Sequence, residues 1–123
     1  MRGGNMKQVI MMLRPNKYLE TKQALADARF FALTVREVFG RGKSPVKYLS
    51  VENEPVDGQI CKGHMTVKKM IEIYVNDEDL HRLIDIILEV NQSGNEGDGK
   101  IFVIPCEDCV RIHTSERGEE ALI

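Results

Sequence analysis

The feature that most constrains this chain is a pattern that occurs twice: a β-forming run, a helix-spaced run, then a second β-forming run. In the first half, KQVIMMLRP (Lys7–Pro15) is a nearly continuous apolar run closed by proline, which predicts a strand buried on both faces. Lys17–Arg29 reads as a helix, with Tyr18, Thr21, Leu25 and Ala28 on one face. FFALTVREVF (Phe30–Phe39) reads as a strand in which Phe31, Leu33 and Val35 alternate with smaller or polar residues. In the second half, VKKMIEIYV (Val67–Val75) points Ile71, Ile73 and Val75 one way and Glu72 and Tyr74 the other. Asn76 suits a helix cap, and Asp77, Glu78 and Asp79 suit the positive end of the helix dipole. Leu80, Leu83, Ile84, Ile87 and Leu88 then recur at i, i+3, i+4, i+7 and i+8. After a polar loop, Asn91–Gly99, Ile101–Ile104 forms a fourth strand, and Val110–His113 offers a short further one.

Two βαβ units in 123 residues predict one α+β domain of the ferredoxin-like kind, an antiparallel sheet with both helices on one face. The other face is left bare, and its apolar residues call for a cover, most simply another copy of the chain. Residues 1–6 are expected to be a mobile N-terminus and 114–123 a mostly polar tail. Between the halves, Ser44–Thr66 has no period and holds Pro45, Pro55, Gly58 and Gly63. With its flanks it is expected to be a long flexible loop over 43–67. Loops of that length in a small domain tend to be functional or disordered.

The charge balance limits the partners. A net charge of −2 and a pI near 5.9 argue against a nucleic-acid partner, which would require a basic face. No apolar run approaches the roughly 18 residues of a membrane span, and MRGGNMKQ does not read as a secretory signal. The expected location is the cytoplasm, without membrane insertion. Three cysteines argue against a disulfide framework.

The chemistry-bearing residues cluster at strand ends. Gly40-Arg41-Gly42-Lys43 and Gly97-Asp98-Gly99-Lys100 share a Gly-x-Gly-Lys form. Glycines let backbone N–H groups converge on an anion, and the lysine adds charge. A glycine pair in a turn also has a purely steric reading, but two such elements on one small domain point to a phosphate chain. Neither has the Gly-x4-Gly-Lys-Ser/Thr spacing of a P-loop. Arg111 and His113 would share one strand face and could clamp phosphate oxygens, or simply be solvated. Cys106-Glu-Asp-Cys109 followed by His113 resembles metal-ligand spacing, but a structural zinc site needs four ligands and the second half-site is missing; Cys61 and His64 lie in the long loop. Two small apolar residues beside a turn is the simpler reading of that pair. His81, between acids and Arg82, reads as a surface residue. No set of nucleophile, base and acid suggests an enzyme; a small ferredoxin-like phosphohydrolase stays as an alternative, with Asp98 its one candidate base.

LRP (Leu13–Pro15), LTVREVFGRGK (Leu33–Lys43), IEIYVNDED (Ile71–Asp79), SGNEGDGKIFVIP (Ser93–Pro105) and VRIHT (Val110–Thr114) together resemble the PII signal-transduction family of nitrogen regulators, over nearly the whole chain. NQSGNEGDGKIFVIP and SERGEEALI look most like the branch encoded beside nitrogenase genes. The resemblance implies a trimer, or a mixed oligomer with a related chain, that binds ATP or ADP in the clefts between subunits. It implies a non-enzymatic sensor that reports nucleotide and 2-oxoglutarate status to a partner protein, nitrogenase first, through the long loop, the T-loop of that family. By position, phosphate contacts carry over to Gly42, Lys43, Gly97, Asp98, Gly99, Lys100 and Arg111, with His113 where a second arginine is usual. The adenine pocket carries over to Met12, Thr34, Gly40 and the backbone near Tyr74. Lys68 matches the lysine that meets the carboxylate of 2-oxoglutarate. Ser44 stands where a glutamine usually ligates the magnesium between ATP and 2-oxoglutarate; a hydroxyl can ligate magnesium but reaches less far. Histidine is mostly neutral at pH 7, which makes triphosphate binding through His113 weaker or pH-dependent. Tyr48, the loop's one tyrosine, lies in a different context from the uridylylated form, so no such modification is expected. A divergent member sensing nucleotide alone, or using Cys106 and Cys109 for metal or redox chemistry, is the alternative.

Overall fold

The strands Thr34–Gly40, Met65–Asn76, Met6–Leu13 and Gly99–Cys106 lie side by side in that order, all pairs antiparallel, and both long helices lie over one side of the sheet. This computed structural model describes residues 5–41, 61–62 and 65–122. The elements are β1 (Met6–Leu13), a 3-10 turn (Pro15–Lys17), α1 (Tyr18–Asp27), β2 (Thr34–Gly40), β3 (Cys61–Lys62), β4 (Met65–Asn76), α2 (Asp77–Asn91), β5 (Gly99–Cys106) and α3 (Glu119–Leu122). β3 pairs with the first residues of β4. The order is that of the expected ferredoxin-like fold.

The core is a single layer between sheet and helices. Val9, Met11 and Leu13 of β1 and Ile71, Ile73 and Val75 of β4 meet Leu25 of α1 and Leu83 and Ile87 of α2. Each fully buried aliphatic side chain of this kind contributes about 1.5–3 kcal/mol relative to exposure. The two helices are also tied by a buried polar contact. Asn91 Nδ2 donates to Thr21 Oγ1 at 3.0 Å, and Thr21 Oγ1 donates to the Lys17 carbonyl at 2.7 Å.

Several expectations are corrected by pairing geometry. β1 is more deeply buried on one face: Val9, Met11 and Leu13 lie under the helices, while Gln8, Ile10 and Met12 on the opposite side are half-buried. It stops at Leu13, since Arg14, before the proline, is held extended and Pro15 opens a 3-10 turn. β2 begins at Thr34, not Phe30. Arg29 takes a positive φ of 72° at the end of α1, and ladder pairing starts only at Thr34 opposite Glu72. Phe31 is therefore 67% exposed rather than part of an alternating strand. β4 begins at Met65, two residues before the expected start, so the aperiodic stretch is shorter than the sequence suggested. β5 runs from Gly99 to Cys106 because β1 offers eight partners, Leu13 through Met6. It tolerates Pro105 because it is an edge strand. Val110–His113 is not a strand; Val110 makes one isolated bridge to Arg117, and Ile112 is 94% exposed. Asn76 does precede α2, but its side chain makes no capping bond. The tail contains α3, which packs against β4. Among the described residues, no helix is long and apolar enough to cross a membrane.

Candidate functional site

Strand register decides which side chains share the helix-free face. Residues directly opposite in an antiparallel ladder point the same way. Met11 pairs with Ile71 and Ile101 on the core side. The alternate residues therefore lie on the open side, in rows. Met12 stands between Met70 and Lys100, with Arg36 beyond Met70. Lys68 sits beside Val38, and Gly40 beside Thr66. Towards the other end, Thr34, Glu72, Ile10 and Phe102 form one row, and Tyr74, Gln8 and Ile104 the next. Six of the expected ligand residues, Met12, Thr34, Gly40, Lys68, Tyr74 and Lys100, thus lie on one face.

One end of this face is cationic. Arg14 Nη2 donates to the Glu96 carbonyl at 2.8 Å, and its Nε lies 3.7 Å from Asp98 Oδ1. Lys68 Nζ reaches the Gly97 carbonyl at 3.5 Å. Burial, and then the nearby Arg14 guanidinium, hold the Lys68 ammonium below its ordinary pKa. An anion entering here would relieve that strain by supplying an opposite charge. A β-carbon on Gly40 would stand 3.8 Å from Lys68 Cγ, so β2 delivers the chain to the same spot. Gly42, Lys43 and Ser44 follow but lie outside the described residues, as do Tyr48 and His64.

The loop that carries Gly97 is built around Asp98. Its carboxylate accepts from the Ser93 amide at 2.8 Å, the Ser93 hydroxyl at 2.5 Å and the Gly94 amide at 3.2 Å. The Ser93 hydroxyl and amide bonds, with Arg14, hold Asp98 below the usual carboxylate range against the opposing effect of burial. The carboxylate is thus committed to shaping the turn. Gly97 has φ +93°, and a β-carbon there would lie 3.0 Å from Arg14 Nη2. Lys100, one residue past Gly99, is exposed on the open face.

The opposite end holds a polar network. Glu72 accepts from Gln8 Nε2 at 2.6 Å and from the Tyr74 hydroxyl at 2.8 Å, with Arg36 at 3.5 Å. The Tyr74 and Gln8 bonds hold Glu72 below its ordinary value, and the same bond pushes the Tyr74 phenol up.

The structure therefore gathers Gly40, Lys68, Gly97, Asp98 and Lys100 with Met12 at one end. It leaves Tyr74 towards the other end, and Thr34 one row from Lys100 but across the width of the sheet on β2. From Lys100 to Cys106 the strand advances six residues, about 20 Å at ~3.3 Å per residue. Arg111 and His113 follow that far end and share no strand face, contrary to the expectation. Arg111 instead bonds Glu116 Oε1 at 2.7 Å and approaches the Glu120 and Ala121 carbonyls, and His113 is exposed. Sequence reasoning did not single out Arg14 as a site residue; the signal available was an arginine directly before Pro15, where the backbone is forced extended. Among the described residues, no group of three or more His, Cys, Asp or Glu is placed to hold a metal. His81 is exposed on α2, as expected.

The chain matches the family described as Nitrogen regulatory protein P-II over residues 6–116. It is 38% identical, over 122 residues, to the nitrogen fixation nifHD region GlnB-like protein 2 of Methanobacterium ivanovii, covering 96% of this chain and 100% of that one. It is 40% identical to the protein of the same description from Methanococcus maripaludis, covering 95% and 100%. Among solved structures, it resembles the B. subtilis GlnK–ATP complex with a TM-score of 0.74 at 28% identity, covering 99% of this chain and 100% of that one. Arabidopsis thaliana PII bound to citrate gives 0.73 at 29%, covering 96% and 90%.

Proposed function

The chain belongs to the nitrogen regulatory protein P-II family, whose members are regulatory signal transducers and not enzymes, and on that premise we propose that it is a nucleotide-dependent sensor. It binds ATP or ADP in clefts between the subunits of a trimer, or of a mixed oligomer with a related chain. It controls a partner protein, nitrogenase in this proposal, through the segment between β2 and β4.

The observation that carries this reading is the cationic end of the helix-free face, where Arg14 and Lys68 meet the Gly97 turn and Lys100 follows it on the same face. A half-buried ammonium facing a carbonyl is a poor resting state and a good anion receptor. The ATP in the B. subtilis structure supports a nucleotide as that anion. The separation of the ligand residues supports a cleft between chains. Thr34 lies across the width of the sheet from Lys100, and Tyr74, Arg111 and His113 lie towards or beyond its far end, so one chain alone does not surround a nucleotide. The apolar part of the open face, with Phe102 at 45% exposure, also needs covering.

In this reading Lys100 and the amides of the Gly97 turn hold the phosphates, with Gly42 and Lys43 joining from the long loop, and Arg111 and His113 arriving from a neighbouring chain. Asp98 and Arg14 fix the turn. Lys68 receives a carboxylate of 2-oxoglutarate, and Ser44 offers its hydroxyl to magnesium. Magnesium, when bound, would supply positive charge that offsets the charge of the anionic ligands. The ligands control the partner only in so far as they bind one arrangement of the loop better than another. The names of the nifHD-region relatives support nitrogenase as that partner.

The test is calorimetric titration with Mg-ATP, with and without 2-oxoglutarate. Micromolar ATP binding that 2-oxoglutarate tightens is the expected result. Binding indifferent to 2-oxoglutarate would leave a nucleotide-only sensor, with Ser44→Gln the variant to restore coupling. Absence of ATP binding would overturn the proposal.

A further inference from the structure

The far end of β5 carries a pair of thiols that the sensor reading does not use. Cys106 is the last residue of the strand, Cys109 stands three positions on, and both are half-buried free cysteines. Cys106 Sγ lies 3.4 Å from the Asp108 carbonyl oxygen. That carbonyl carbon is bonded to the nitrogen of Cys109, so the sulfur rests within one peptide unit of its counterpart residue. The Cys109 amide donates to Asp108 Oδ1 at 2.8 Å, which folds the turn back on itself.

The same turn anchors the tail. Arg117 Nη1 pairs with Asp108 Oδ2 at 2.9 Å, and the Gly118 amide donates to the Cys109 carbonyl at 2.9 Å. Val110 and Arg117 form the one bridge that holds the tail alongside. Closing a disulfide requires Cα atoms about 4.4–6.8 Å apart and a torsion near 90°. Closing it takes Cys106 Sγ off the Asp108 carbonyl and pulls on the 107–109 backbone that links the two cysteines. Asp108 and the Cys109 carbonyl, which hold Arg117 and Gly118, lie in that backbone, while Arg111 keeps its own contacts with Glu116, Glu120 and Ala121.

We propose that Cys106 and Cys109 are a thiol-oxidation site, converted by a low-molecular-weight disulfide into an intramolecular disulfide that loosens Arg117 and Gly118 from the turn. One cysteine thiolate attacks the small disulfide, forming a mixed disulfide and releasing one thiolate. The second cysteine thiolate attacks the cysteine sulfur of that mixed disulfide and expels the other. Two cysteine S–H bonds are lost, two small thiols form, and two electrons pass to the reagent. This does not depend on nucleotide binding.

The experiment treats the full chain carrying Cys61→Ser with oxidised glutathione, quenches with acid, and measures intact mass and backbone hydrogen exchange. The expected product has lost two hydrogens, carries no adduct and is restored by dithiothreitol. Its Gly118-containing peptides exchange about tenfold faster, as for a local opening. Adding Cys106→Ser or Cys109→Ser should stop the reaction at a single glutathione adduct. Peptide mapping of the wild-type chain gives the same readout should the Cys61 variant fold poorly. Stable adducts on both cysteines, no reaction, crosslinks between chains, or a disulfide that leaves Gly118 exchange unchanged would each overturn the proposal.

Discussion

Gly99 lies directly against Met12: a β-carbon built on Gly99 would stand 1.9 Å from the Met12 carbonyl oxygen, and Gly99 sits at φ +118°. The last glycine of Gly97-Asp98-Gly99-Lys100 is therefore fixed by the β1–β5 ladder as well as by any anion. Gly99→Ala should lose at least about 3 kcal/mol, from backbone strain of roughly 1–3 kcal/mol plus the clash with backbone. Gly94→Ala is the control: φ is +84° with nothing within 4 Å, so only about 1–2 kcal/mol should be lost. Thermal unfolding of the two variants reads the difference, and equal losses would contradict the close-approach argument.

Lys100→Ala should leave stability near that of the parent, since the side chain is exposed on the open face. Loss of a charge-assisted contact of about 1.5–3 kcal/mol weakens ATP roughly 10- to 150-fold. Calorimetry measures it; unchanged affinity would return the turn to a purely steric role.

Thr21→Val tests the tie between the helices. It removes the acceptor of Asn91 Nδ2 in a buried site where Asn91 Oδ1 already has no partner. The expected loss is about 1–3 kcal/mol in urea unfolding with an unchanged slope.

Asp98 predicts an acid-side effect. Its folded pKa is depressed, by the Ser93 bonds first, so its contribution is fully present above the ordinary carboxylate value and is lost as pH falls through the folded value. Wild type should therefore lose stability below about pH 4. Asp98→Asn should be less stable than wild type at pH 7 and approach it at pH 3. Parallel melting curves across that range check the sign.

Deleting residues 46–60 should leave the sheet and its assembly intact and abolish control of the partner protein. The cut stops short of Cys61 and Lys62 because these pair with Thr66 and Met65 of β4. Circular dichroism and an activity assay of the partner separate the two outcomes; loss of folding would mean the segment serves the core.

By itself the sequence determined the periodic elements. Ile71, Ile73 and Val75 are buried on the face that their alternation predicts, and α2 follows Asn76 with Leu83 and Ile87 inside. Periodicity is a local signal, and these residues obey it because one side of each element meets a common core. The glycine-rich turn before β5 was legible for the same reason, since positive φ selects the residue type locally. The tertiary structure alone decided the rest. Only ladder register places Met12, Lys68, Lys100 and Thr34 on one face, and only pairing with β1 extends β5 to Cys106. Arg14 joins the Gly97 turn across more than eighty positions, and Arg111 turns to Glu116 instead of lying in a strand. Contacts between distant segments follow from which strand lies beside which, and no local pattern of residues encodes that.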